Sequence, residues 1–182
     1  MGPTGPQAPL SESRKRSPTA QRTPRRTESW LIVRVILARH GGELLDDPPG
    51  RDLLVRASHS FAQLAKAIDT AFARWDLGHL HEFSLPDGTR IGMADADEFG
   101  ADGELDEATE TIGAASLKVG DSVAYVFDLG DSWEHDCTIL RVNVDPHEEL
   151  GAAPRGIVPV FGWGAIPDQY GRTGPDTDEN DE

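Results

Sequence analysis

Three histidines and three aspartates hold most of the chemistry open to this chain. His79, His81 and His135 offer imidazole nitrogens, and Asp128, Asp131 and Asp168 offer carboxylate oxygens, a donor set suited to zinc or manganese. On a strand, the pair His79-x-His81 would project both rings from one face. None of these spacings is diagnostic of a metal site, and they single out no cofactor. A lone histidine on an aromatic face needs only a hydrogen-bond partner. The plainer reading therefore makes His135 a core histidine satisfied by a carboxylate or a backbone carbonyl, with Asp131 capping a turn. Cys137 stands two residues from His135 on the same strand face, but catalysis by it would require a thiolate held by that base. As the one cysteine of the chain it reads better as a small buried apolar side chain. Serines, histidines and aspartates are all present without the glycine-framed turn that exposes a serine nucleophile.

The elements that must position these groups start with a hairpin over residues 125–136. Val123, Tyr125, Phe127 and Leu129 alternate with smaller or polar residues, and Trp133, His135, Cys137 and Ile139 do the same after the turn. A two-residue loop would set Phe127 against Glu134 and put carboxylates on the apolar side. A three-residue loop, Gly130-Asp131-Ser132, pairs Leu129 with Trp133, Phe127 with His135, Tyr125 with Cys137 and Val123 with Ile139. It gathers the aromatic residues on one face and leaves Asp128, Glu134 and Asp136 on the other, so it is the preferred register.

The string Phe127-Asp128-Leu129-Gly130-Asp131-Ser132-Trp133-Glu134-His135 resembles the signature of the plasmid pRiA4b open-reading-frame-three-like family. His79-Leu-His81-Glu-Phe83 is similar to that family's His-Leu-His-x-Phe element. The stretch from Gly162 through Asp168 and Tyr170 to Arg172 resembles its Gly/Pro/Asp-rich close, so the likeness covers residues 30–172. The family is commonly labelled as an insertion-sequence passenger or resolvase-like protein. The resemblance implies a fold and a shared pocket with no established activity. A resolvase needs a serine nucleophile within an arginine-rich set, and the arginines from residue 29 onward are scattered singly.

Charge divides the 182 residues. Residues 1–28 hold six of the 17 Lys and Arg side chains against two acids, with five prolines and almost no large apolar residue, and are expected to be a disordered basic tail. Arg14-Lys15-Arg16 and Arg25-Arg26 could contact nucleic acid nonspecifically, although a solvated tail is the plainer reading. Residues 173–182 are expected to be a disordered acidic tail, leaving 29–172 as one folded domain. From residue 30 to 172 there are 25 acids and 11 bases, which disfavours nucleic acid as a ligand of the folded domain. One cysteine excludes a disulfide scaffold. No window approaches the roughly 18 apolar residues of a membrane span, and the start lacks the apolar stretch of a signal peptide. A cytoplasmic protein is expected, with no membrane partner.

Along the domain, residues 30–37 (Trp-Leu-Ile-Val-Arg-Val-Ile-Leu) read as a central strand and 51–57 as its hairpin partner. Ser58 or Ser60 caps a helix over 61–75, whose stripe is Phe61, Leu64, Ala65, Ile68, Ala71, Phe72 and Trp75. Residues 80–85 and 89–93 read as two further strands. Residues 95–110 carry eight acids and no base. A calcium loop there fails because Phe99 takes a ligand position and Asp106 replaces the closing Glu, so a solvated acidic loop is expected. The hairpin's second strand runs to Val144, with an apolar parity switch after Ile139 that calls for a bulge. Residues 154–172 read as an irregular segment packed over the sheet.

The expected fold class is therefore α+β, a mixed, mostly antiparallel sheet of five or six strands with one principal helix on one face. The preferred function is a binding or interaction module. Its aromatic and acidic groove, formed by His81, Asp128, Asp131, Trp133, His135, Asp168 and Tyr170, receives a peptide, a small cationic ligand or a protein partner. The alternative is a metal-assisted hydrolase using His and Asp ligands in the same pocket, with a carboxylate as general base.

Overall fold

The computed structural model describes residues 1–2, 29–93 and 104–171. The two expected tails, apart from residues 1–2, lie outside the described residues, as does the core of the calcium-like stretch.

The most apolar run of the chain forms β1 (Trp30–His40), an 11-residue strand with both faces covered over most of its length. It occupies the middle of the sheet, antiparallel to β3 (Gly50–Arg56) on one side and to β8 (Trp133–Val142) on the other. Between β1 and β3 the chain makes the small ribbon β2 (Glu43–Leu44), turning through Gly41 and Gly42 at φ 59° and 81°. Two consecutive left-handed residues are what a two-residue hairpin demands.

After β3 comes helix α1 (Phe61–Ala71). Ser60 caps it, its hydroxyl accepting the Gln63 N–H while the Gln63 side chain accepts the Ser60 N–H. Phe61, Leu64, Ala65, Ile68 and Phe72 are buried as their spacing requires, but the helix stops at Ala71, and Trp75 is 48% exposed. Ala73 adopts φ 53°, a left-handed conformation that ends the helical path before Trp75 can join the stripe.

Then follow β4 (His81–Ser84), β5 (Arg90–Gly92), β6 (Glu104–Asp106) and β7 (Ser122–Phe127), with α2 (Pro146–Leu150) and β9 (Val158–Trp163) after β8. Among the described residues the strands join in one sheet of order β6-β5-β4-β7-β8-β1-β3-β9, with β2 on β1. All neighbours are antiparallel except β5 and β6. The expected α+β domain of five or six strands with one principal helix is corrected: the described residues form one nine-stranded mixed sheet with two short helices, of 11 and 5 residues. Three strands escaped the sequence reading because β2, β6 and β9 are short or glycine- and proline-bearing, and pair through backbone groups that leave little apolar alternation. The closing stretch is thus partly a strand, antiparallel to β3, with residues 154–157 before it and 164–171 after it irregular.

The main core lies where α1 covers the sheet and gathers Val33, Val35, Leu37, Leu53, Val55, Phe83, Tyr125, Phe127, Trp133, Cys137 and Ile139. A smaller one, Trp30, Ile32 and Leu54, occupies the other face. The expected bulge is present. Ile32 pairs with Arg141 and Val33 with Ile139, so Leu140 is the extra residue; it packs against the second core with Val144, while Val142 is exposed and ends the strand two residues short of the expected Val144.

Candidate functional site

The hairpin that carries the site keeps the expected face but not the expected register. Phe127 pairs with Trp133, Tyr125 with His135 and Val123 with Cys137, leaving a five-residue connection, 128–132. Asp128 sets this longer turn. It adopts φ 56°, its Oδ1 accepts the N–H groups of Gly130 (3.0 Å) and Asp131 (3.2 Å), and its carbonyl accepts the Ser132 N–H. An aspartate that bonds its own backbone two residues on tolerates the left-handed conformation. Asp128, not Asp131, is therefore the turn-capping residue, and Leu129 is lifted out to 41% exposure.

The inward face of the hairpin is sealed. Trp133 and His135 are each 1% exposed. They do face the same way as Tyr125 and Phe127, but into the core rather than an open groove. The Trp133 indole is flanked by the His40 ring, stacked at 3.6 Å and 14°, and by the Arg74 guanidinium 3.8 Å from its ring centre. His135 packs edge-on to Phe72 at 4.9 Å and tilted against Tyr125 at 5.5 Å. Neither imidazole nitrogen has a hydrogen-bond partner, so the expected carboxylate or carbonyl is missing. Burial, reinforced by the Arg74 charge, drives the His135 pKa down to about 3; the backbone of Tyr125 and Trp133 pulls weakly the other way without a bond of ordinary geometry. Cys137 is buried too, and burial followed by the Asp136 charge holds its thiol far above the range of a nucleophile.

Beside this core runs a layer of paired ionisable groups. Tyr125 donates its hydroxyl proton to Asp69 Oδ1 at 2.8 Å, and His81 Nε2 lies 2.7 Å from Glu107 Oε2. Burial lifts the Asp69 pKa to about 6, against the opposing pull of the Tyr125 hydrogen bond and the His81 and Arg74 charges. For His81, burial disfavours the charged form, but the Glu107 hydrogen bond and charge, with Asp69, outweigh it and raise its pKa. Burial brings Arg74 down to about 10, opposed by Asp69 and Asp168. Glu107 is buried, so the acidic stretch that reads as a solvated loop delivers one carboxylate to the interior.

The outermost layer is partly open to solvent, although Asp128 within it is buried. His79 Nδ1 is 3.0 Å from Asp128 Oδ2, and its Nε2 is 2.9 Å from the Tyr170 hydroxyl. That hydroxyl donates to Asp76 Oδ2 at 2.8 Å, and the shared bond raises Tyr170 while lowering Asp76. The closing segment is fixed by buried Gln169. Its Oε1 accepts the N–H of Trp75 (3.0 Å) and Asp76 (3.1 Å), and its Nε2 donates to the Asp76 carbonyl (3.0 Å). Trp75 and Tyr170 consequently stand edge-to-face at 5.1 Å, 48% and 45% exposed.

Of the residues singled out from sequence, His81, Asp128, Trp133, His135 and Tyr170 lie in this one region on three levels. Asp131 is exposed on the turn, and Asp168 is half-buried, near enough to Arg74 to act on its charge. His79 and His81 point to different partners. Among the described residues no three His, Cys, Asp or Glu side chains converge as metal ligands. Sequence reasoning missed Asp69, Arg74, Asp76, Glu107 and Gln169. Asp69 alone left a signal, since a carboxylate four residues from Ala65 falls on the apolar stripe of α1.

The comparisons with known proteins bear on this hairpin and the sheet around it. A family model described as Plasmid pRiA4b ORF-3-like protein matches residues 44–158, more than half of the chain. The chain belongs to the plasmid pRiA4b ORF-3-like family. The matched range takes in the whole 125–136 hairpin and the His79-Leu-His81 stretch, while β1, Asp168, Gln169 and Tyr170 lie outside it. The chain is also 30% identical over 92 residues to the uncharacterized protein y4hQ of Sinorhizobium fredii, a match covering 50% of this chain and 45% of that protein. The chain thus spans less than half the length of that relative. A crystal structure of a protein of unknown function, MM3350 from Methanosarcina mazei Go1, superposes with a TM-score of 0.55 at 20% identity, covering 75% of this chain and 68% of that one. This likeness shows the fold alone. Among the described residues no helix is long and apolar enough to cross a membrane.

Proposed function

We propose that this member of the pRiA4b ORF-3-like family is a binding module that takes a cationic group, such as a lysine or arginine side chain of a peptide or protein partner, on the face made by Trp75, Tyr170, His79, Asp76, Asp128 and Asp131. One observation carries the reading: two half-exposed aromatic rings held edge-to-face at 5.1 Å, with the Tyr170 hydroxyl bonded to Asp76. Exposed aromatic rings beside carboxylates attract a cation by ring quadrupole and by charge, and holding the rings in place beforehand removes part of the ordering cost of binding. The net charge of the chain, −15, favours the same ligand sign. Trp133 and His135 support this surface from beneath and do not touch the ligand. His81 and Asp168 shape its floor and edge.

The metal-assisted hydrolase gains no support from the geometry, because His79 and His81 are each committed to a separate carboxylate. A cytoplasmic setting belongs to the proposal, suggested by the single cysteine. The link to mobile elements rests on the family's label.

Titrating the full chain with an oligo-arginine peptide tests the reading. Saturable quenching of Trp75 fluorescence, weakened about fivefold or more in Tyr170→Ala and in Asp76→Asn, is expected. Equal binding by wild type and both variants would exclude this face.

A further inference from the structure

Arg74, Trp133 and His135 leave six buried side-chain nitrogens without a hydrogen-bond partner: Arg74 Nε, Nη1 and Nη2, Trp133 Nε1, and both ring nitrogens of His135. The residues are 5%, 1% and 1% exposed, and the guanidinium lies 3.8 Å from the Trp133 ring centre. His135 follows Trp133 by two positions on the same face of β8. A buried polar group with no partner loses its hydration and gains nothing in return, and for a guanidinium the loss is largest. So many on three neighbouring residues, when the other buried side-chain polar groups among the described residues are nearly all paired, is the pattern of a site awaiting an acceptor.

Hydrogen counting identifies the complement. Guanidinium and indole only donate, and neutral imidazole donates at one nitrogen and accepts at the other, so the set is rich in donors. A buried water would have to place its own two hydrogens as well, and the three side chains themselves offer only the single imidazole acceptor. A carboxylate offers acceptors alone and matches the guanidinium fork with two parallel bonds. The groups facing Arg74 limit the ligand's charge: Asp69 and Asp168 both act on it, so a dianion would be repelled where a single negative charge is tolerated.

We propose that Arg74, Trp133 Nε1 and His135 form an internal binding site for a small monocarboxylate. The ligand reaches it beneath residues 164–171, which Gln169 and Tyr170 hold to Trp75 and Asp76, the two residues next after Arg74. Gly164 and Gly171, both left-handed at φ 73° and 65°, bound that segment. This site uses other side chains than the cation-binding face and stands or falls separately from it.

The test titrates acetate into the full-length, nitrogen-15-labelled protein at neutral pH, with ionic strength held constant by chloride. The readouts are the Trp133 Nε1–H and Arg74 Nε–H resonances. Both are expected to shift downfield and saturate together, with apparent affinity falling about tenfold or more in Arg74→Lys, which keeps the charge and loses the fork. Sulfate, a dianion at neutral pH, is expected to leave both signals in place. Should Arg74→Lys not fold, the wild-type titration and that of His135→Phe decide by the same criterion. Signals that stay fixed or drift without saturating, saturation by sulfate instead of acetate, or unchanged affinity in Arg74→Lys would each overturn the site.

Discussion

Two buried residues at the centre of the site titrate in opposite senses. His135 has a folded pKa of about 3, below its ordinary 6.5, so the unfolded chain binds the extra proton between those values and stability falls as pH drops through that window. Asp69 has a folded pKa of about 6, above its ordinary 3.8. The folded state therefore binds the extra proton, and stability falls as pH rises through that window. Each pKa unit corresponds to about 1.4 kcal/mol, which makes the Asp69 effect about 3 kcal/mol at full extent and that of His135 somewhat larger. Urea denaturation across the pH range separates them. In His135→Phe the acid-side loss between pH 6.5 and 4 is expected to shrink by several kcal/mol. In Asp69→Asn the stability relative to wild type is expected to improve by about 3 kcal/mol between pH 4 and pH 8. A pH profile unchanged by either substitution would show that these groups are not buried as described.

At the scale of elements, the edge strand β9 depends on a glycine. A Cβ on Gly50 would lie 2.1 Å from Trp163 Cζ2, since the indole crosses directly over the Gly50 backbone where β3 pairs with β9. Gly50→Ala is expected to destabilise the protein by about 1–3 kcal/mol, as overpacking of a fixed ring does, and Trp163→Ala in the same chain to recover part of that loss. Thermal unfolding of the two single variants and the double variant measures the coupling. The same pairing explains why β9 was hard to see in advance. Pro159 and Gly162 are poor strand residues, and what recruits them is the unfilled edge of β3 together with the space left above Gly50.

The whole molecule carries a net charge of −15, so its folded form compresses like charges that the unfolded chain spreads apart. Raising the ionic strength from 0.01 M to 0.1 M shortens the screening length from about 30 Å to about 10 Å. The thermal midpoint is expected to rise over that interval and then level off, which calorimetry at constant pH checks. A midpoint independent of salt would mean that ion pairs such as Arg34–Asp52 and Arg141–Glu149 already offset the repulsion.

The sequence by itself determined whatever follows from periodicity and local capping. The long apolar run became the central strand, the three- and four-residue spacing after Ser60 became the covering helix, and alternation through Tyr125 and Trp133 placed His135 and Cys137 on an inward face. Short-range rules of this kind depend on neighbours a few residues away, so they are legible in one dimension. Only tertiary structure decided the pairing of Asp69 with Tyr125, of His81 with Glu107 and of Tyr170 with Asp76 and His79, because these contacts join residues 26 to 94 positions apart. It also decided that Trp133 and His135 are sealed while Trp75 is open, since burial depends on which element finally covers a face. A helix one turn shorter than its stripe, and a closing segment fixed by Gln169, set that outcome here.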